Sequence, residues 1–521
     1  VLSIMEPDPD FNEKEEVSYK EKMFRLKSSL TEDEQRKINA QAGELKNFQS
    51  QQDSLEAAAT IPRLKTEDIP RSIETISSRN LHVSGISALE HDLFTNGIAY
   101  VDLAFDVSHV PEELQIYLPL MGKIITGMGA AGFTYEEMAK RVALHMGGFG
   151  YNLSAGFTAQ GDTNWQKMIF SFKSLYRNLP EAIKIVSDVI CDGDLDHEAR
   201  MRDLISERKN NLQSAIVPSG HIFAKMAAGA ALTLPAYRDE QWHGRTQYKF
   251  VQAQANNFDS SKHDLRDKIE ELKRILFGRN NLMINLTAES PGLNIAKENL
   301  PPLLEKLPQI STKDPGEKPV LYPILAGISI PTQVSYVAYV LKTPPYTDAA
   351  SPLLMLSAKE LSNNYLYKHI RVQGGAYGGM SSVDASLGLF SFLSYRDPHI
   401  AETVRVFKDA QKFYSQNEIS SSDMEKAMIS TIGMIDKPSD PASRGYTAMM
   451  RHFAGITDDM RQNFRDRILS ATPRKLKQVL LDYFSQTSKS AAVAVYSAPE
   501  KLNEANKHLE EKLAVETIFE N

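Results

Sequence analysis

The chain has 521 residues, with 59 Lys plus Arg against 66 Asp plus Glu and a formal net charge of -7, which argues against a general nucleic-acid binder and against a protein drawn to anionic membranes. That length predicts about three domains, or two large ones and an appendage. One cysteine, Cys191, excludes disulfides within the chain and any thiolate zinc cluster, and no apolar run approaches the ~20 residues of a membrane helix.

In chain order, Val1–Met5 is an apolar run ahead of Glu6-Pro-Asp-Pro9. It predicts, within residues 1–10, the terminal strand of an upstream domain, so the chain reads as a fragment or processed half of a longer one. Residues 11–74 predict a helical hairpin linker. Tyr19, Met23, Leu26 and Leu30 recur at helical spacing. Thr31 and Glu34 then form a capping-box pattern that restarts a helix, with Ile38, Leu45, Phe48 and Leu55 as its stripe. Pro62 and Pro70 end it.

A first α+β domain is expected over 75–305. Asn96-Gly97 is a hairpin-turn signal, and Ala99, Val101, Leu103, Phe105 and Val107 alternate as a strand does. Helices are predicted from Pro111 to about Met128, from Thr134 to Gly147, from Pro180 to Ile190, from His197 into the 210s, and from Leu265 to Phe277. Strands are predicted at Tyr151–Phe157, Lys167–Lys173 and Leu282–Thr287. Pro301-Pro302, Pro308 and Lys313-Asp-Pro-Gly-Glu-Lys318 read as linker, with the linker proper at 306–318.

A second α+β domain, 319–521, repeats the first in the same order. Met146-Gly-Gly-Phe-Gly-Tyr151 answers Gln373-Gly-Gly-Ala-Tyr-Gly378, and Ile169-Phe-Ser-Phe172 answers Leu389-Phe-Ser-Phe392. Tyr176–Pro180 answers Tyr395–Pro398, and Leu282–Leu286 answers Ala492–Tyr496. Each pair lies roughly 210 to 230 residues apart, which suits a duplicated domain. The fold class is therefore α+β, two duplicated domains, each a mainly antiparallel sheet with helices packed on one face, preceded by a helical hairpin.

One stretch concentrates unusual residues. Tyr365 to Val383 reads as a helix end, a glycine-rich corner and a strand start, with Gly374, Gly375, Gly378 and Gly379 around Tyr377 and with Arg371 just before them. An Arg fork and a Tyr ring with a polar tip are able to hold an extended peptide backbone. A tight turn with a surface Arg and a half-buried Tyr accounts for the same residues. It is not a phosphate loop, because the glycines follow the helix and no Lys comes after them.

No complete catalytic set is found. His197-Glu198 and His508-Leu-Glu-Glu511 lack the second His of a zinc-peptidase helix and read as solvated polar groups. There is no Gly-x-Ser-x-Gly elbow, and Cys191 at the end of an apolar helix reads as a small core residue. No metal site is expected in this chain.

With these residues in view, the chain resembles the C-terminal half of the presequence-protease and falcilysin branch of the pitrilysin/insulinase family, inverted-motif zinc metallopeptidases. The most specific match is Ile370-Arg-Val-Gln-Gly-Gly-Ala-Tyr-Gly378-Gly379. Lesser matches are Ser219-Gly-His-Ile-Phe-Ala224, Gln241-Trp-His-Gly244, Asp436–Pro441 and Arg444-Gly445. The resemblance implies that 1–10 ends the family's second domain and that the two α+β domains are its third and fourth. It implies that zinc is bound in the parent enzyme by the N-terminal catalytic half, the partner of this chain, and that this chain alone is inactive. It also implies that Arg371 and Tyr377 join the active site, with Tyr367, Arg371, Gly374, Gly375 and Tyr377 as the substrate-binding set and His369 as a further candidate. The corner Gly147–Gly150, with Arg141 and Tyr151, reads as its structural duplicate.

The function expected is the substrate-binding half of a zinc metalloendopeptidase that degrades unfolded peptides in a closed chamber, in a reducing compartment such as cytoplasm or organelle matrix, with neither nucleic acid nor membrane as partner. The alternative is a non-catalytic subunit or interaction protein of the same fold, like the processing-peptidase alpha subunit.

Overall fold

In the computed structural model the described residues are 11–50, 54, 56–57, 60–62, 64–312 and 319–519, so the expected strand at Val1–Met5, the stripe residue Leu55 and the linker stretch Lys313–Lys318 lie outside them. The chain divides into two units, Val1–Leu64 and Lys65–Asn521.

The first unit is a pair of 19-residue helices, α1 (Phe11–Ser29) and α2 (Glu32–Ser50). The capping box forms as its residues require. Thr31 N donates to Glu34 Oε2 at 2.8 Å and Glu34 N donates to Thr31 Oγ1 at 3.3 Å.

The second unit holds two six-stranded sheets. The first runs β1 (Arg79–Val83), β2 (Ile86–Asp92), β6 (Leu282–Ala288), β3 (Ile98–Asp106), β5 (Asn164–Leu175), β4 (Gly148–Phe157). The second runs β12 (Ala514–Thr517), β7 (Leu325–Ser329), β11 (Ala492–Ser497), β8 (Tyr336–Lys342), β10 (Leu389–Tyr395), β9 (Gly378–Asp384). From the second strand to the sixth the two orders are the same. In each sheet a late strand, β6 or β11, pairs parallel to one neighbour and antiparallel to the other. The duplication fails at one edge, where β1 is antiparallel to β2 but β12 is parallel to β7. The repeated sequence pairs fall on corresponding elements, yet the corners differ in register, since Phe172 faces Phe149 whereas Phe392 faces Ser381.

This topology corrects the hairpin expected at Asn96-Gly97. Both residues have positive φ, 53° and 78°, as a primed turn needs, but β2 and β3 are not neighbours, because β6 lies between them. The two-residue hairpin is at Ser84-Gly85, φ 50° and 81°, joining β1 to β2 with Val83 opposite Ile86. Pro301-Pro302 is likewise not linker. It opens a helix, Pro301–Lys306, whose Leu303 and Leu304 are buried, because a proline is tolerated in a first helical turn where its missing N–H has no partner to lose.

Each sheet packs helices of its own sequence repeat on one face and takes a helix of the other repeat on its opposite face. Helix α3 (Gly220–Gly229), from the first repeat, lies on β8, β10 and β11. Helix α4 (Ser351–Leu361) covers the other side of that sheet with Leu353, Leu354 and Leu356. Helix α5 (Pro441–Ala454), from the second repeat, lies on β5 and β6 and closes a small core of Leu89, Ala104, Ile169 and Met449. The sheets also touch where Phe157 N at the end of β4 donates to Ser386 O after β9 at 2.7 Å. Strands β4 and β9 are each last in their sheet, with no further strand paired beyond them among the described residues, and at β9 Ser362 Oγ bonds both Ser381 N and Ser381 O.

Candidate functional site

The glycine-rich corner is built from an uncommon helix. Residues Ser362–Gln373 continue α4 as a π-helix. Ser362 Oγ donates to the Ala358 carbonyl at 2.8 Å and accepts from Ser381 N at 2.8 Å, which ties the wide turns to strand β9. A side chain that takes an i−4 carbonyl competes with the α-helical ladder, and π turns recur where a protein re-aims side chains for function. Beneath it the buried carboxyl of Glu360 accepts from Asn364 Nδ2 at 2.8 Å and from the Tyr414 hydroxyl, and burial raises the pKa of both acids.

The corner then needs glycine at Gly374, Gly375 and Gly379, the last because a Cβ there would stand 2.7 Å from the Ile370 Cβ. Gly375 has φ +75°, and a Cβ at Gly374 would stand 2.6 Å from the Ile370 carbonyl oxygen. Gly375 N donates to Arg371 O at 3.1 Å and Ala376 N to Ile370 O at 3.1 Å, so the turn folds back on the helix end. Ala376 is buried and Tyr377 is thrown outward at the start of edge strand β9.

The result is an exposed stack. The Arg371 guanidinium carbon lies 5.7 Å from the ring centroids of both Tyr367 and Tyr377, which are 50% and 67% exposed. Cation–π contacts of this kind hold the fork in place at about 0.5–1 kcal/mol each in an exposed setting. The contacts of the Arg371 side chain among the described residues are these two rings, with no ion pair, so its donors are free for a ligand. Behind Tyr377 stands Tyr395, rings 5.8 Å apart and edge-on, and behind that His221 of α3 at 4.8 Å. The His221 Nδ1 is buried without a hydrogen-bond partner, and burial lowers the pKa of the ring.

Sequence reasoning gives Ser219-Gly-His221 no role and does not single out Tyr395 for the site. Their place behind Tyr377 depends on α3 crossing to the second sheet. His369 packs its ring on Tyr365 and Phe413, at 4.7 and 5.7 Å, and leaves Nε2 buried without a partner.

The duplicate corner is committed to structure. Arg141 pairs with Glu181 at 2.7 Å and Asp188 at 2.9 Å, and the Tyr151 hydroxyl donates to the Pro119 carbonyl at 2.7 Å. His197 caps a helix, accepting from Arg200 N at 3.1 Å, and His508 pairs with Glu504 at 3.1 Å. Cys191 is half-buried, and burial pushes its thiol up. Among the described residues no three His, Cys, Asp or Glu side chains converge on a point, so the donor set does not fit zinc and no step is routed through a metal here. No described helix is long and apolar enough to cross a membrane.

Comparison with known proteins places this build. A family profile described as associated with peptidase family M16, subfamily C, matches residues 5–253, and one described as the PreP C-terminal domain matches residues 326–497. Presequence protease 1, chloroplastic/mitochondrial, of Arabidopsis thaliana is 29% identical over 511 residues, 96% of this chain and 46% of that protein. Presequence protease, mitochondrial, of Danio rerio is 26% identical, over 94% of this chain and 50% of that protein. The chain therefore spans about half the length of the curated relatives it matches. Among solved structures, the peptidase M16 inactive domain from Pseudomonas fluorescens aligns with a TM-score of 0.58 at 13% identity, over 81% of this chain and 98% of that one. A protease from Helicobacter pylori aligns at 0.59 and 14%, over 81% and 100%. At such identities these two carry the fold, while the profiles carry the family. Between them the profiles take in both sheets, and the chain belongs to subfamily C of the M16 peptidases as the C-terminal half of a presequence-protease-like member.

Proposed function

We propose that this chain is the half of a peptidase that grips substrate, and that Arg371 and Tyr377 reach the scissile peptide when a catalytic N-terminal half closes on it. In this reading the zinc belongs to that other half. The substrate is an unfolded peptide, laid as an added strand against the first residues of β9, ahead of the Ser381 backbone groups that Ser362 already holds. The Arg371 fork binds its backbone carbonyls, and the Tyr377 hydroxyl donates where negative charge develops on the attacked carbonyl oxygen. Tyr367 holds the fork from the other side, and the bare backbone at Gly374 and Gly375 lets the peptide approach. Arrival of both donors only on closure would couple hydrolysis to a shut chamber.

The single observation that carries this reading is the Arg371 stack: an exposed, unpaired guanidinium held between two tyrosine rings at the mouth of an edge strand. The test is hydrolysis of an unfolded peptide by the full-length parent with Arg371→Ala or Tyr377→Phe. Loss of about 10²–10³-fold in kcat supports the reading, as for other donors to a developing oxyanion. Unchanged kcat sinks it.

A second reading is a non-catalytic subunit of the same fold. It is favoured by the structural likeness to a protein named an inactive domain. It predicts that adding a catalytic half leaves peptide hydrolysis indifferent to Arg371.

A further inference from the structure

The face of the first sheet that receives α5 is only partly covered. Beside the first turns of α5 a cleft of about 930 Å³ stays open. Its floor is one side of three paired strands. Tyr100 and Asp102 of β3 face Lys173 and Ser171 of β5, which face Gly148 and Gly150 of β4. Its wall is the N-terminal end of α5, with Asp440, Ser443 and Tyr446. Gly150 keeps the floor bare, since a Cβ there would meet nothing within 4 Å.

At the bottom lies Asp102, only 8% exposed. Its Oδ1 accepts from Ser171 Oγ at 2.6 Å and its Oδ2 from Asn285 Nδ2 at 2.8 Å, and Asn285 Oδ1 in turn meets His91 Nε2 at 2.8 Å. These partners are uncharged side chains or a buried imidazole. Two other carboxylates of this sheet have cations of their own: Asp106 has Lys167, and Glu90 has Arg79 and Lys297. Asp102 has none among the described residues, and burial raises its pKa. A buried carboxylate that faces an open cleft without a counter-charge is stabilised by whatever cation enters. The rings of Tyr100 and Tyr446 line the same space and offer π faces to such a cation. Lys173 also lines the cleft, its stem beside Gly147.

We propose that this cleft is a subsite for one cationic side chain of a bound peptide, with Asp102 as its counter-charge. A guanidinium suits it better than an ammonium, because its flat fork matches a carboxylate and stacks on a tyrosine ring. The proposal rests on the reading that the chain holds unfolded peptides, and it places the discrimination in the first sheet, away from Arg371.

The test uses the full 521-residue chain and two unfolded peptides of about twelve residues, acetylated and amidated so that no terminal charge competes. One carries a single arginine and its twin carries citrulline, the neutral isostere. Calorimetric titration is expected to show the arginine peptide bound about ten-fold or more tighter. Asp102→Asn should bring that ratio to one. Gly150→Leu, which fills the cleft from a position open to solvent, should do the same without touching Asp102, and it decides the matter if the first variant fails to fold. A ratio of one in the unmodified chain, a ratio that survives both variants, or no arginine-peptide binding at millimolar concentration overturns the proposal. Arg371→Ala should weaken both peptides equally and leave the ratio intact. If it weakens neither while the ratio stands, the corner reading fails and the cleft survives.

Discussion

Gly445 of α5 sits so close to Thr287 of β6 that a Cβ on it would come 1.8 Å from the threonine hydroxyl oxygen. Its counterpart is Gly220 of α3, where a Cβ would come 2.2 Å from the Tyr336 ring of β8. Each exchanged helix thus lands on the foreign sheet through a glycine. Gly445→Ala and Gly220→Ala are each expected to lose about 1–3 kcal/mol through overpacking, read as a lower urea midpoint. An unchanged midpoint for both would mean that the helices do not seat as described.

The exposed stack should be cheap to alter for the fold and costly for the chemistry. Arg371→Ala, Tyr377→Phe and Tyr367→Ala are expected within about 0.5 kcal/mol of the unmodified stability, as for surface positions. Arg371→Lys keeps the charge but loses the fork, and it should retain only part of the peptide affinity. Tyr395→Ala removes the ring behind Tyr377 and should weaken peptide binding without touching the bound peptide, a comparison that titration calorimetry can make.

Two glycines should respond with opposite sign. Gly375→Ala forces a side chain to φ +75° and is expected to cost about 1 kcal/mol. Gly433 is exposed inside the helix Ser421–Ile435 with nothing within 4 Å of a Cβ. Gly433→Ala should gain about 0.5–1 kcal/mol. Paired thermal melts decide both.

Acid should weaken the first sheet through Asp106. Burial works against its ionisation, but His109, Lys167 at 2.5 Å and Ser108 together outweigh it and hold its pKa well below the usual 3.8. A depressed folded pKa gives stability that is complete above the unfolded value and is lost as pH falls below about 4. Asp106→Asn is expected to be less stable than the unmodified chain at pH 7, with a shallower loss between about pH 4 and pH 2. Parallel slopes in denaturant titrations across that range would contradict the assignment.

Arg465 is 1% exposed and clamps the segment before the first sheet. Its Nε donates to the Pro70 carbonyl at 2.9 Å, and its Nη1 pairs with Asp436 at 2.7 Å. Arg465→Ala removes a buried guanidinium and leaves the Pro70 carbonyl and the Asp436 carboxylate, both partly in water, without their donor, and about 1–3 kcal/mol should be lost. Limited proteolysis is expected to cut near residues 65–75 in the variant first.

What can be read in advance is mostly local. The Thr31 and Glu34 capping box, the alternation through Val101, Leu103 and Phe105, and the corner glycines are set by neighbours a few residues away. The Asn96-Gly97 turn misleads because its backbone has the geometry of a hairpin while its strands are parted by β6, whose residues lie almost two hundred positions later. The crossing of α3 and α5 leaves no local mark except the glycines at 220 and 445, which become meaningful only beside Tyr336 and Thr287. The π-helix is invisible for a related reason, since Tyr367 and Arg371 share a face in an α-helix too. Asp102 looks like any polar residue of an alternating strand, because its lack of a counter-charge is a property of the folded sheet.

The helix exchange also limits how this half can be dissected. Cutting the chain anywhere between the two sheets and producing the pieces apart would strip each of its borrowed cover, leaving the beds of α3 and α5 bare to water and prone to aggregate. Gene fusion or deletion could have kept or discarded the pair only together, which makes the two sheets a single heritable module despite their duplicate origin.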